Sequence, residues 1–283
     1  MKRFKIIHKT RYDFISPVLL LPHTFRLRPR EGHELRIEAS KLKVDPTATL
    51  RWHRDVEGNS IATASFKGKT QTLNIESEVF IQKYDLDPHD FLVSDYAIDY
   101  PFSYRDEDKI SLAPYLMFSE NLGPNLMAMI NEVWKYNEKI QTFSLLNNLN
   151  KYIFKNYTYK RREEEGVQSA EGTISVGSGS CRDFAGLFMV AAQCLGFATR
   201  FVSGYIFSGQ NLKLPGSTHA WAEVFIPGAG WKGFDPTFGS IAGVEHIATA
   251  VARRPELVPP ISGSFFGHTG SSMTVNVWVT EAD

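Results

Sequence analysis

The sequence predicts an α+β protein with a separate all-β module at its N-terminus. Three observations carry this. Residues 1–84 alternate apolar and polar side chains in short runs, broken by Gly, Pro and Asp. Helical spacing takes over from about residue 113 to 159. A glycine-rich loop then enters a long apolar helix, "GSGSCRDFAGLFMVAAQCLG" at 177–196, followed by strands and a hairpin. The expected boundaries are 1–84 for the β module and 85–283 for the core. The core divides into a linker and helices (85–160), a segment bearing the chemistry (161–240), and a C-terminal loop with a returning strand (241–283).

Composition is consistent with that architecture. Of 283 residues, 43% are hydrophobic and 22% charged, enough to bury a sizeable core. Thirty-one basic residues balance 31 acidic ones. That neutrality favours neither nucleic acid nor an anionic membrane as partner. No run approaches the ~18 apolar residues of a membrane span, and no signal-peptide pattern follows the basic start. A cytoplasmic location is therefore expected. The two cysteines, Cys181 and Cys194, make no disulfide framework. On one helix they lie ~220° apart, which keeps them from pairing.

In the β module, "RFKIIHKTRYDF", "HELRIEASKLKV", "NSIATASFKG" and "TQTLNIESEVFIQKYD" read as strands, with turns at "LRPREG" and "DVEGN". Several short strands in that length predict a sandwich-like module. Residues 85–114 are rich in Asp, Pro and Tyr and read as a linker lying on a surface. Helices follow at "APYLMFSE", "NLMAMINEVWKYN" and "TFSLLNNLNKYIFKNYTY", the last with a stripe of Leu145, Leu146, Leu149, Ile153 and Phe154. Residues 160–180 read as a charged, then small and polar, loop. After the helix that starts at Cys181 come a strand in "ATRFVSGYIFSG" and a hairpin of "GSTHAWAEVFI" and "WKGFDPTFG" about "PGAG". The tail reads as an irregular stretch, with 259–272 either a lid or an ordinary long loop, and a last strand "MTVNVWV".

Chemistry concentrates at three positions. Cys181 sits at the loop–helix junction, where unpaired N–H groups and the helix dipole favour negative charge on sulfur. Taken alone, such a cysteine also fits a buried helix start; Cys194, among Ala191, Ala192 and Leu195, fits that role better. His219 shares a strand face with Trp221, Glu223 and Phe225, while Ala220, Ala222, Val224 and Ile226 form the small apolar face expected to meet the core. Asp235 lies an even number of residues beyond His219 across the "PGAG" turn. The two are therefore expected on one sheet face, opposite or one pair out of register. An acid there can hold an imidazole by its far nitrogen, although "DPT" also makes a good strand-ending turn. The ordered set of helix-start Cys, strand His and hairpin Asp is not something packing requires.

With "GSGSCRDFAGLFMVAAQCLGFATRFVSGY" and "HAWAEVFIPGAGWKGFDPT" in view, the chain resembles the transglutaminase-like superfamily, in the bacterial group with an N-terminal β domain. "IIHKTRYDFISPV", "FRLRPR" and "DVEGN" extend the resemblance over nearly the whole chain. The resemblance implies a papain-like core, with a nucleophile helix packed on an antiparallel sheet. It implies Cys181 as nucleophile, His219 as general base and acid, and Asp235 as orienter. The implied reaction is acyl transfer from a peptide or amide through a thioester, to water or to an amine. The bacterial resemblance and the lack of an EF-hand-like calcium loop favour hydrolysis, a cysteine protease or amidase activity, over crosslinking. A non-catalytic interaction module retaining the fold is the reading from another class.

Other residues are weighed beside these. Trp221 either walls a substrate groove or packs against the helix. Glu223 binds a substrate amine or pairs with an arginine. Tyr205 lines the cleft or packs the strand. Asp183 suits the first helical turn, and Arg182 either favours the thiolate or meets solvent. No metal and no cofactor are expected, since HExxH, paired CxxC and a phosphate-loop Gly-Lys-Ser/Thr are absent from the sequence. The expected partner is a peptide or protein substrate; oligomeric state is not legible. The Cys181 N–H is the first oxyanion donor, and no second one is identifiable.

Overall fold

The computed structural model describes residues 1–84, 87–117, 123–136, 138–162, 164–207, 218–267 and 270–282. Parts of several expected segments lie outside these residues: the ends of "TQTLNIESEVFIQKYD", "APYLMFSE", "NLMAMINEVWKYN" and "ATRFVSGYIFSG", the start of "GSTHAWAEVFI", and positions of the 85–114, 160–180 and 259–272 stretches. Among the described residues, no helix is long and apolar enough to cross a membrane.

The N-terminal residues form two antiparallel sheets. One is built on Lys2–Leu20, flanked by Lys69–Lys83 and then Leu35–Asp45. The other runs Ile261–Ser262, His23–Phe25, Ser60–Ser65, Thr49–Arg54. Strict alternation in Lys69–Lys83 turns Leu73, Ile75, Val79 and Ile81 to the buried side. Phe14, Val18, Leu20, Phe25, Ala62, Ala64, Leu73 and Ile75 make the apolar layer shared by the two sheets. The sandwich-like expectation agrees with this, with longer strands than the turn signals imply.

The C-terminal boundary differs from the expected one. Ser271–Glu281 pairs with Lys2–Leu20 from Phe4↔Glu281 to Phe14↔Ser271, and Phe265–Phe266 pairs with Leu19 and Leu20. The strands Ile261–Ser262, Phe265–Phe266 and Ser271–Glu281 thus complete the N-terminal sheets instead of belonging to the core, and in the described part of 259–272 they tie the chain to that module and do not form a lid. Its alternation satisfies the open edge of the first strand, which sequence order alone assigns to no particular partner.

The remaining chain is the α+β core. Five helices are described: α1 (Asp106–Leu116), α2 (Pro124–Val133), α3 (Thr142–Asn156), α4 (Ala170–Val176) and α5 (Cys181–Cys194). The helix α4, capped by Ser169, occupies part of the expected 160–180 loop. The core sheet has the order Ser240–Ile241, Gly230–Asp235, His219–Ile226, Thr199–Ile206, His246–Ala252, all antiparallel. Gly196, at φ +86°, ends the α5 segment as expected. Phe184 and Phe188 of α5 join Ala220, Ala222, Val224 and Ile226 in one cluster, and Phe188 stacks on Phe234 at 5.3 Å. Leu145, Leu146, Leu149 and Ile153 of α3 are fully buried. Phe154 is 47% exposed, because it lies past the stripe beside Gly239. The 85–114 linker is anchored: Tyr100 donates to the Leu195 carbonyl and Tyr104 to the Phe225 carbonyl, at 2.9 and 2.7 Å.

The core sheet also meets the N-terminal module. Tyr205, Phe207 and Ile247 pack with Phe4, Ile6, Val79, Ile81 and Val277. The Tyr205 hydroxyl lies 3.1 Å from His8 Nδ1, and the other ring nitrogen is 2.8 Å from the Thr10 hydroxyl. Burial pushes the His8 pKa down to about 4, so its ring is neutral in this interface. Each large apolar side chain buried there contributes about 1.5–3 kcal/mol. Deleting residues 1–84 should therefore leave a core that is not a soluble, cooperatively melting monomer. Sedimentation and thermal denaturation of 85–283 check this, and a sharply melting soluble fragment would contradict it.

Candidate active site

The start of α5 is built from its own sequence. Gly177 takes φ +70°, ending α4, and Ser178–Gly179 pairs in parallel with Thr158–Tyr159. Ser180 is the N-cap of α5 and Cys181 its first helical residue. Asp183, fully buried, accepts from both the backbone N–H and the hydroxyl of Ser180 through Oδ2, at 2.7 Å each. Its Oδ1 accepts from Arg162 at 2.6 Å and from the Gln168 N–H at 2.8 Å. Burial alone would raise the pKa of Asp183; hydrogen bonds from Gln168 and Ser180, with the Arg162 charge, outweigh it and hold it below its usual value. Asp183 therefore does more than favour the helix dipole: it ties the preceding loop to the helix that carries Cys181. Arg182 does not face the sulfur's surroundings as a free cation; it donates to the Glu164 carbonyl.

The hairpin register centres on Gly228, with Ile226 opposite Gly230 and Ala222 opposite Phe234. His219 and Asp235 are thus diagonal neighbours on one face, the one-pair offset allowed by the sequence. His219 Nε2 lies 2.7 Å from Asp235 Oδ2. Cys181, partly exposed at the start of α5, lies close enough to the same imidazole to favour its charged form. Burial opposes charge on His219, yet the hydrogen bonds to Asp235 and Cys181 prevail and its pKa is pushed up to about 9. Asp235, also buried, is held far below the usual carboxylate range. Desolvation works against this, and the bonds from His219 and His246 overcome it. The Thr237 N–H completes the cage on Oδ1 at 2.9 Å.

Sequence reasoning missed His246. It opens a strand, His246–Ala252, that joins the sheet beyond Thr199–Ile206, and its Nε2 lies 2.9 Å from Asp235 Oδ2. Among the described residues, His219, Asp235 and His246 have donor atoms spaced within 4.8 Å, as a metal site would. Both histidines bond the same Asp235 oxygen, and those two bonds set that spacing.

The three other residues singled out are placed differently. Trp221 is 2% exposed and lines no groove. It packs with Val202 and Val251, its ring stacked 6.2 Å from His219 and edge-on 5.1 Å from His246. Glu223 pairs with Arg200 at 2.6 Å, and that guanidinium sits over Trp231. Tyr205 is buried against the N-terminal module, not at the cleft. Tyr205 is covered by a module distant in sequence, whereas Trp221 and Glu223 are taken up by neighbours within the core sheet itself. Side chains open to solvent near the pair include Phe238, 51% exposed with its ring 5.6 Å from His219, and Tyr159, 48% exposed and close enough to feel charge on Cys181.

Replacing Asp183 with Ala strands the Ser180 N–H and the Arg162 charge, and should cost about 2–4 kcal/mol of stability. A folded-state pKa held low means that this contribution is present above the ordinary carboxylate range and lost on acidification through it. Denaturant unfolding at neutral and acid pH measures both. A loss below about 0.5 kcal/mol at neutral pH would show that Asp183 is dispensable.

Comparison with known proteins follows the same division of the chain. Residues 4–82 match the bacterial transglutaminase-like N-terminal region, and residues 135–236 match the transglutaminase-like superfamily core. A Mycobacterium leprae (strain TN) protein described as "Uncharacterized protein ML0607" is 22% identical over 99% of both chains. The crystal structure of a "Putative Cysteine Protease" from Cytophaga hutchinsonii superposes with a TM-score of 0.75 and 21% identity. That superposition covers 100% of this chain and 91% of that one, and shows the shared fold. With both its N-terminal region and its core matched, this chain belongs to the transglutaminase-like superfamily.

Proposed function

We propose that the chain is a cysteine-dependent acyl-transfer enzyme that hydrolyses peptide or amide bonds. The observation that carries the reading is the buried imidazole of His219, held by the Asp235 carboxylate at 2.7 Å and close enough to Cys181 for the sulfur to favour its charge. An imidazole that retains its proton to about pH 9 supplies the positive partner for a thiolate.

The sulfur of Cys181 attacks the carbonyl carbon, and the carbonyl oxygen takes up negative charge. The Cys181 N–H, in the first turn of α5 and without an intrahelical acceptor, is a donor available to that oxyanion. The intermediate collapses as His219 gives its proton to the leaving nitrogen, releasing an amine and leaving a thioester. Water then attacks the thioester while His219 takes its proton. The carboxylic acid leaves and the thiolate–imidazolium pair is restored. Asp235 keeps the ring oriented and stabilises its charge throughout without accepting the proton. Exposure of Phe238 and Tyr159 beside the pair supports water as the acceptor, and the name given to the Cytophaga protein is in keeping with hydrolysis.

The test is turnover of a peptide library in water enriched in ¹⁸O, with a labelled primary amine present. The expected product carries ¹⁸O in a new carboxyl group. Cys181→Ala should abolish its formation without unfolding the chain, and Asp235→Asn should lower it about 10³–10⁴-fold. Activity should decline as pH passes about 9, where His219 loses its proton. Amine incorporation outrunning hydrolysis would replace this reading with crosslinking, and turnover by Cys181→Ala would remove the nucleophile assignment.

A further inference from the structure

We infer that His246 is a fourth, positioning member of the site: it donates to the carboxylate that holds His219 and thereby limits how tightly that carboxylate can hold it. The inference rests on the reading of Cys181 as the nucleophile and adds a residue outside the three assigned above.

The direction of the hydrogen bond follows from its neighbours. His246 Nδ1 accepts the backbone N–H of Gly243 at 3.2 Å. An N–H can only donate, so Nδ1 carries no proton and the ring's proton sits on Nε2. That proton points at Asp235 Oδ2, 2.9 Å away, the same oxygen that bonds His219 Nε2 at 2.7 Å. One carboxylate oxygen therefore serves two imidazoles.

The ring is also held in place. The His246 N–H donates to the Gly243 carbonyl at 3.0 Å, so the turn from 243 to 246 clasps its own histidine. The edge-on contact with Trp221 fixes the plane. The His246 carbonyl accepts the buried Lys83 ammonium, at 3.0 Å, from the N-terminal module. That bond links the module to the site through backbone position. Among the described residues, the titratable groups around the cluster are Cys181 at the start of α5, with Tyr159 beside it, His219, Asp235 and His246 from the core sheet, and Lys83 from the module.

A donor on a carboxylate stabilises its charge and reduces what it offers to a second donor. With His246 in place, Asp235 is oriented but not free to spend its full charge on His219. Without it, the remaining bond to His219 strengthens and the imidazolium should hold its proton to higher pH. The same bond that positions the acid thus moderates it.

The test uses the full chain and the alkylation of Cys181 by iodoacetate, an anion whose reaction declines when the imidazolium loses its proton. Three proteins are compared across pH: wild type, His246→Leu, which removes the donor, and His246→Gln, which keeps an N–H within reach of Asp235. The expected result is an alkaline limb moved upward in His246→Leu, by a few tenths to about one pH unit, and a limb near wild type in His246→Gln. Melting temperatures are recorded alongside, because a purely structural role would lower them and leave the limb in place. Long-range ¹H–¹⁵N spectra of the wild type give a reading that needs no variant: His246 should show a protonated Nε2 and a bare Nδ1. A proton on Nδ1, or coincident limbs in folded His246→Leu and wild type, would overturn the inference. If wild-type Cys181 shows no His219-dependent reactivity, the nucleophile reading falls and takes this one with it. A normal wild-type profile with coincident limbs removes only the role of His246.

Discussion

A carboxylate taken wholly out of water has to be repaid in hydrogen bonds, and Asp235 is where this structure does so. Its donors come from three places: His219 across the hairpin, His246 from the far side of the sheet, and the Thr237 backbone just beyond. Removing any of these leaves buried charge undersatisfied, so the three segments are locked in mutual position. His219 gains its orientation from this requirement, and with it the capacity to meet the thiol of Cys181.

The antiparallel order explains how these groups meet. His219 begins its strand, Asp235 ends the next, and His246 begins the strand on the other side of Thr199–Ile206. Alternating strand directions bring those ends to one edge of the sheet. The helix α5 packs on the sheet and starts at Cys181, while the N-terminal sandwich packs on Tyr205, Phe207 and Ile247. The module is thus part of the site's support: it reaches His246 through Lys83. A leading domain that could be pictured as a separate recruiter is, in packing terms, one wall of the core.

Local signals made the central pair and its acid legible in the sequence. Cys181 announces itself at a glycine-rich junction with an apolar helix, and His219 and Asp235 are joined by one short turn, where alternation fixes the face. The register shift about Gly228 is within what that argument allows. His246 escaped because no local rule places its strand beyond Thr199–Ile206; that pairing is long-range. Tyr205 and Trp221 escaped for a related reason: strand alternation tells which face a side chain takes, not what covers it. Asp183 reads as a helix-dipole residue from its neighbours in sequence, and only the fold shows Arg162 and Gln168 converging on it. The C-terminal strand illustrates the same limit, since its partner is the first strand of the chain.

The central claim is that Cys181 and His219 form a charge-paired thiolate and imidazolium. The most direct measurement is the rate of alkylation of each cysteine against pH, followed by mass spectrometry, in wild type and His219→Ala. The account predicts that Cys181 reacts well below pH 7, that burial keeps Cys194 silent there by raising its pKa, and that the variant loses the low-pH reaction. Cys181 reacting only in the ordinary thiol range, unchanged by the loss of His219, would contradict it.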